Sequence, residues 1–115
     1  HEALLTALKQ GSPEVRVQAA RLLAQFGQDW TIQPLADLLT TPEVELRFLA
    51  VKGLSRTGGL QVAPHLLRAL TDEDPYVQDE ARKALEYVRQ DVKDPTLMRQ
   101  IDQAFLNSRN SKRSS

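Results

Sequence analysis

The chain has 115 residues, and 15 lysines and arginines balance 15 aspartates and glutamates, so its formal net charge is zero; it contains no cysteine. A chain of that length fits one domain with a modest core. Neutrality removes the global field that steers a protein to nucleic acid or an anionic membrane, and the lack of cysteine removes a disulfide framework, a thiolate nucleophile and a Cys-type zinc site.

Leucine and alanine dominate the apolar set and aromatics make up only 5% of the chain, which favours helix over strand. No apolar run approaches the roughly 20 residues that span a bilayer, and no signal-peptide pattern opens the sequence. The chain begins at His1 without a methionine, which reads as a processed, excised or tagged start. A cytoplasmic location is the default expectation.

The elements follow from a repeat. Val15, Ala19, Leu23 and Gly27 recur after 31 residues as Leu46, Ala50, Leu54 and Gly58, and in part again as Val77, Ala81 and Leu85. Between these segments run Leu4, Leu35, Leu66 and Leu97, then Leu8, Leu39, Leu70 and Ile101, then Leu5, Ala36, Leu67 and Met98, each column spaced by 31. A period of this size signals a stack of supersecondary units.

In chain order, residues 2–10 read as a B-type helix, 13–26 as an A helix and 31–40 as a B helix. Residues 43–57 then form an A helix, 61–71 a B helix, 75–89 the last A helix and 95–107 the last B helix. The repeats are thus about 13–40, 43–71 and 75–107 within one domain of residues 1–107, and the polar, aperiodic stretch 108–115 reads as a disordered tail. Within 13–26, Val15, Ala19, Leu22, Leu23 and Phe26 share one helical face. Ser12-Pro13, Thr41-Pro42, Asp74-Pro75 and Asp94-Pro95 each set a capping side chain before a first-turn proline. Gly27 and Gly58-Gly59 sit where helices should stop. Pro42 stands two residues ahead of the 31-residue frame, so its helix is expected to start half a turn early.

Val15 to Gly27 fits V-R-x-x-A-A-x-x-L-x-x-x-G, Leu46 to Gly58 fits L-R-x-x-A-V-x-x-L-x-x-x-G, and Val77 to Leu85 fits V-Q-x-x-A-R-x-x-L. This pattern resembles the short HEAT-like repeats named after the phycobilisome lyases, over about residues 2–106. The resemblance implies an all-α, right-handed superhelix of about 3.5 helical hairpins, with A helices on the convex face and B helices on the concave one. It constrains fold far more than function, since proteins with such repeats include bilin lyases, phycobilisome-degradation factors, metal-dependent deoxyhypusine hydroxylases, alkyl-base DNA glycosylases and plain scaffolds.

His1-Glu2 superficially matches the His-Glu pairs of the hydroxylases, but those need several such pairs, and the second of the two histidines, His65, is followed by Leu66. No Gly-x-Ser-x-Gly occurs, and the serines fall at caps or in the tail. No catalytic, metal or cofactor residues are therefore assigned. Arg16 and Arg47 share a column with Gln78, and are expected to pair with an acidic residue or loop carbonyl of the adjoining repeat more than to form an anion-binding row. Phe48-Leu49 stands where other repeats carry Val17-Gln18 and Asp79-Glu80, either as an exposed patch or with one side chain turned into the core. Trp30 is expected to plug a gap in packing. Arg109, Lys112 and Arg113 make the tail basic without marking a site.

The candidate binding surface is the exposed side of the B helices. One column there reads Thr6, Asp37, Arg68 and Arg99, and beside it run Lys9, Thr40, Thr71 and Asp102. With B helices about 10 Å apart they would form a shallow groove on the order of 30 Å long. Its mixed charge and lack of aromatics fit a protein or peptide partner better than single-stranded nucleic acid. The expected function is a non-catalytic interaction scaffold, part of a longer repeat protein. An alternative is a phycobilisome lyase-type protein handling a bilin or an antenna subunit through Asp37, Arg68 and Arg99, and a weaker one is a nucleic-acid-binding module. Helix 2–10 carries Leu4, Leu5, Ala7 and Leu8, more apolar surface than a cap needs, so the N-terminal end is expected either to continue a longer array or to self-associate. The last helix, with Arg99, Gln100, Asp102 and Gln103, suits a terminus.

Overall fold

A computed structural model describes the backbone of residues 1–114 and the side chains of residues 1–109. The elements are α1 (Glu2–Gln10), α2 (Pro13–Phe26), α3 (Asp29–Leu38), α4 (Val44–Thr57), a 3₁₀ turn over Leu60–Val62, α5 (Ala63–Ala69), α6 (Pro75–Val92) and α7 (Pro95–Ser114). The A helices α2, α4 and α6 pack side by side in one layer, and α1, α3 and α5 each pack against the A helix that follows. The Cα atoms fill a slab of 40 × 32 × 14 Å.

The repeated columns become the core between the layers. Leu23, Leu54 and Leu85 are fully buried, as are Leu35, Leu66 and Ile101, and Ala19, Ala50 and Ala81 fill the narrow space between A helices. Fully burying one such leucine contributes about 1.5–3 kcal/mol, so the recurring leucines carry most of the stabilisation. The small residues fix how closely the A layer packs: a Cβ on Gly53 would lie 2.9 Å from the Cα of Ala24 on α2 and 2.7 Å from Leu35 Cδ1.

Three of the four X-Pro starts are capped. Ser12 Oγ accepts the Val15 N–H at 3.4 Å, Asp74 Oδ1 accepts those of Tyr76 and Val77 at 2.9 and 3.1 Å, and Asp94 Oδ2 accepts that of Leu97 at 2.9 Å. Gly27, Gly58 and Gly59 take positive φ of 61°, 70° and 82° at the ends of α2 and α4, as a chain reversal after a helix requires.

Several expectations are corrected. Thr41-Pro42 is no helix start: Thr41 Oγ1 turns back to the Leu38 carbonyl, and α4 begins at Val44, in frame with Pro13 and Pro75. The helices expected at 31–40 and 61–71 close earlier because Thr40, Thr41 and Thr71 hydroxyls donate to the carbonyls of Asp37, Leu38 and Arg68, ending each in a tight turn. Helix α6 passes residue 89, where no glycine stops it, and closes at Lys93 with φ 56° just ahead of Asp94-Pro95. Helix α7 passes the end expected at residue 107 and is bounded by Pro95 and Ser114. No proline or glycine interrupts that stretch, and extending an existing helix needs only one more residue at a time. Residue 115 lies outside the described residues, as do the side chains of Lys112 and Arg113. Finally, Val15, Leu22 and Phe26 do not join Ala19 and Leu23 in the core; each stays about half exposed.

Candidate functional site

The arginine column is structural. Arg16 Nε donates to the Leu8 carbonyl at 3.1 Å and its Nη1 to Glu43 at 3.2 Å. Arg47 is buried; its Nη1 donates to the carbonyls of Thr41 and Pro42 at 3.0 and 2.9 Å, and its Nε reaches Asp72 at 2.9 Å. Gln78 keeps the same role without the charge, donating from its side-chain amide to the Asp72 carbonyl. Each member ties an A helix to the end of the preceding B helix.

All eight residues of the B-helix columns, Thr6, Lys9, Asp37, Thr40, Arg68, Thr71, Arg99 and Asp102, are exposed. They do not form one uniform strip. Thr40 and Thr71 spend their hydroxyls on helix-end carbonyls. Asp102 accepts both Arg89 Nε and Nη2, at 2.9 and 3.0 Å, which holds its carboxyl below the usual range and ties it to α6. The centre of the strip gains a member that the columns missed. His65 Nδ1 lies 2.5 Å from Arg68 Nη2. Burial, and then the Arg68 charge, push the His65 imidazole below its ordinary value, while Asp37 pulls it back up. Asp37, His65 and Arg68 thus form one polar cluster on α3 and α5.

A depression lies on the other side, across the A layer. It is an open groove of about 750 Å³ between α2, α4 and α6. Phe48, Leu49 and Tyr87 supply its apolar surface, with Arg21, Glu45, Lys52, Arg56 and Glu80 around them. Phe48 and Leu49 are both half-buried against the edge of the core, so neither is turned fully inward, and Lys52 Nζ sits 5.4 Å from the Phe48 ring centroid. Arg21 faces Glu45 at 3.6 Å across the α2–α4 seam, and Tyr87 is 59% exposed. The sequence signal for this groove was the Phe48-Leu49 pair at a position that is polar in other repeats; within its charged surround, Arg21 and Lys52 share a basic column with Lys83, and Glu45 shares one with Glu14.

Trp30 packs between His1, stacked at 3.8 Å, and Phe26 at 5.3 Å, with its Nε1 donating to Gln28. Among the described residues, no three His, Asp or Glu side chains gather in a metal-holding group, and no helix is long and apolar enough to cross a membrane.

Antiparallel helical hairpins stacked with their A helices in one continuous layer define an α-solenoid. The chain belongs to the HEAT repeat family, whose model, described as HEAT repeats, matches residues 2–86. No curated protein matches the sequence. Among solved structures the chain is similar to an engineered protein from the Northeast Structural Genomics Consortium, at 23% identity and a TM-score of 0.59. That match covers 93% of this chain and 50% of the engineered one, so this chain spans half the length of that structure. At that identity the likeness concerns the fold alone.

Proposed function

We propose that the chain is a non-catalytic scaffold that binds a segment of a protein partner in the groove of the A layer. The observation that carries this reading is the groove's chemistry: Phe48, Leu49 and Tyr87 offer apolar anchoring beside charges of both signs. Aromatic anchors within a polar surround are what protein interfaces use to concentrate binding energy. A partner with an apolar side chain flanked by mixed charge fits it. The test is a pull-down from the native source with parent protein, Tyr87→Ala, Lys52→Glu and Arg68→Ala. Retention by Arg68→Ala with loss by both groove variants supports the A-layer site, whereas the reverse pattern supports the B-helix face.

That B-helix face is the second reading, favoured by the Asp37–His65–Arg68 cluster on its midline. The phycobilisome-lyase reading rests on the motifs around Val15 and Leu46 and would place bilin propionates against Arg68 and Arg99. Mixing with a free bilin and recording the visible band tests it, because a tetrapyrrole held by the protein shifts that band. A cytoplasmic location belongs to the scaffold reading.

A further inference from the structure

The groove between α2, α4 and α6 carries its charges in a definite order. Arg21, Lys52 and Lys83 occupy one column, one residue on each A helix. The outer two are matched within the chain: Arg21 faces Glu45 at 3.6 Å and Lys83 faces Asp79 at 3.3 Å. The central one, Lys52, stands over the Phe48 ring and takes part in no ion pair among the described residues. Arg56, one turn further along α4, is exposed and takes part in none either. Its stem lies along the end of α2, close enough that a Cβ on Gly27 would stand 3.3 Å from Arg56 Cγ. The carboxylate left without an ion pair in the lining is Glu80, which shares the column of Leu49. At a rise of about 1.5 Å per residue, that column lies roughly 5 Å short of Lys52 and roughly 10 Å short of Arg56 along the helix. Two unmatched cations therefore hold one end of the groove, and its apolar surface lies beside them.

We infer that the occupant of this groove is an acidic peptide segment of a protein partner, with an apolar side chain on Phe48, Leu49 and Tyr87 and carboxylates over Lys52 and Arg56. This rests on the A-layer reading above and narrows it to one sign of charge. Charge complementarity decides that sign: an acidic residue there meets two cations that no internal carboxylate satisfies, whereas a basic residue is repelled by both. A nucleic acid does not match the order of charges, because a chain with a phosphate at every step would also lay negative charge against Glu80. Lys52 and Arg56 are exposed, so each contact is worth little alone. Their contribution goes into choosing the partner and steering it in, while the apolar floor supplies the anchor.

The probe is a library of random short peptides displayed on phage, panned in parallel against the full chain, Tyr87→Ala and the double variant Lys52→Gln/Arg56→Gln. All three changed positions are on the surface, and melting curves confirm that the variants fold as the parent does. The parent should enrich peptides that carry an aromatic or aliphatic residue with Asp or Glu to one side, and both variants should lose them. The consensus peptide, synthesised and titrated by fluorescence anisotropy, should bind roughly three- to fivefold more weakly to Lys52→Gln and to Arg56→Gln. It should bind more tightly to Glu80→Gln, and added salt should weaken it. Peptides that need Tyr87 but show no acidic preference, or that bind the double variant as well as the parent, overturn the acidic partner and leave the groove reading standing. A consensus peptide that binds with phosphoserine in place of its acidic residues and not with the acidic residues themselves overturns it in favour of a phosphorylated segment. Equal enrichment by parent and Tyr87→Ala, or none by either, overturns the groove reading together with this one.

Discussion

Arg47 and Asp72 form a buried two-pronged pair that joins α4 to the turn after α5, with Nε to Oδ2 at 2.9 Å and Nη2 to Oδ1 at 3.3 Å. The remaining Arg47 donor is taken up by the Thr41 and Pro42 carbonyls, and Asp72 Oδ1 also accepts the Asp74 N–H at 2.9 Å. Because every partner is satisfied, the pair costs little to keep, yet removing one side strands a buried charge. Arg47→Ala is therefore expected to lower stability by about 3–5 kcal/mol. Arg16→Ala, at a more exposed member of the same column, should cost about 1 kcal/mol, the worth of an ordinary hydrogen bond. Denaturant melts of both variants check the difference, and equal losses would contradict the burial argument.

Gly53 sets two effects against each other. Replacing it with alanine relieves about 1 kcal/mol of poor helix propensity, but the new methyl would meet the Ala24 backbone at 2.9 Å. Backbone cannot swing aside as a side-chain tip can, so α2 and α4 must separate. Overpacking at about 1–3 kcal/mol outweighs the propensity gain, and Gly53→Ala should be net destabilising by about 1 kcal/mol. Ala50→Leu, with no propensity gain to offset it, should cost about 1–3 kcal/mol. A raised unfolding midpoint for Gly53→Ala would show that the helices have slack here.

The period made the A–B alternation and the core columns readable, since each buried leucine recurs at the same offset and burial is what repetition records. Helix ends were less legible. Thr41-Pro42 has the form of a cap, yet its hydroxyl serves Leu38 behind it, and only three-dimensional placement decides which carbonyl or N–H is near. The half-exposed stripe of α2 has the same helical periodicity as a core face, so spacing alone does not separate Val15, Leu22 and Phe26 from the buried Ala19 and Leu23. The A-layer groove was signalled only by Phe48-Leu49, because a repeated charged column such as Arg21, Lys52 and Lys83 reads as an ordinary solvated face until the three helices are placed side by side. His65 was missed as a site residue because, although Arg68 follows it by three residues on α5, the Asp37 that completes the cluster lies on α3.

The His65 imidazole is held below its ordinary value of 6.5 by burial and by Arg68. The folded state therefore favours the neutral ring, and the unfolded chain binds the proton more readily. Stability from this group is complete above pH 6.5 and declines as the pH falls from there through the folded value. Proton NMR should find His65 titrating below 6.5. Arg68→Gln should raise its midpoint and Asp37→Asn lower it further. An unchanged midpoint in both variants would place His65 outside the cluster.

The capping geometry gives a graded series. Asp74 accepts two N–H groups at the start of α6 and sits at the positive end of an 18-residue helix. Asp74→Ala should therefore cost about 1–2 kcal/mol. Ser12 makes a single bond of 3.4 Å on an exposed turn, so Ser12→Ala should stay near the lower limit, about 0.5 kcal/mol. Thr41 caps no N–H at the start of α4, and its hydroxyl closes α3 instead. Thr41→Ser keeps that hydroxyl and should be nearly neutral, whereas Thr41→Ala removes one side chain-to-carbonyl bond worth about 1 kcal/mol. The same substitutions separate the two assignments by amide hydrogen exchange. Asp74→Ala should expose the first amides of α6, while Thr41→Ala should leave the first amides of α4 at their parent rate. Faster exchange at Glu43 and Val44 in Thr41→Ala would restore Thr41 as a helix cap.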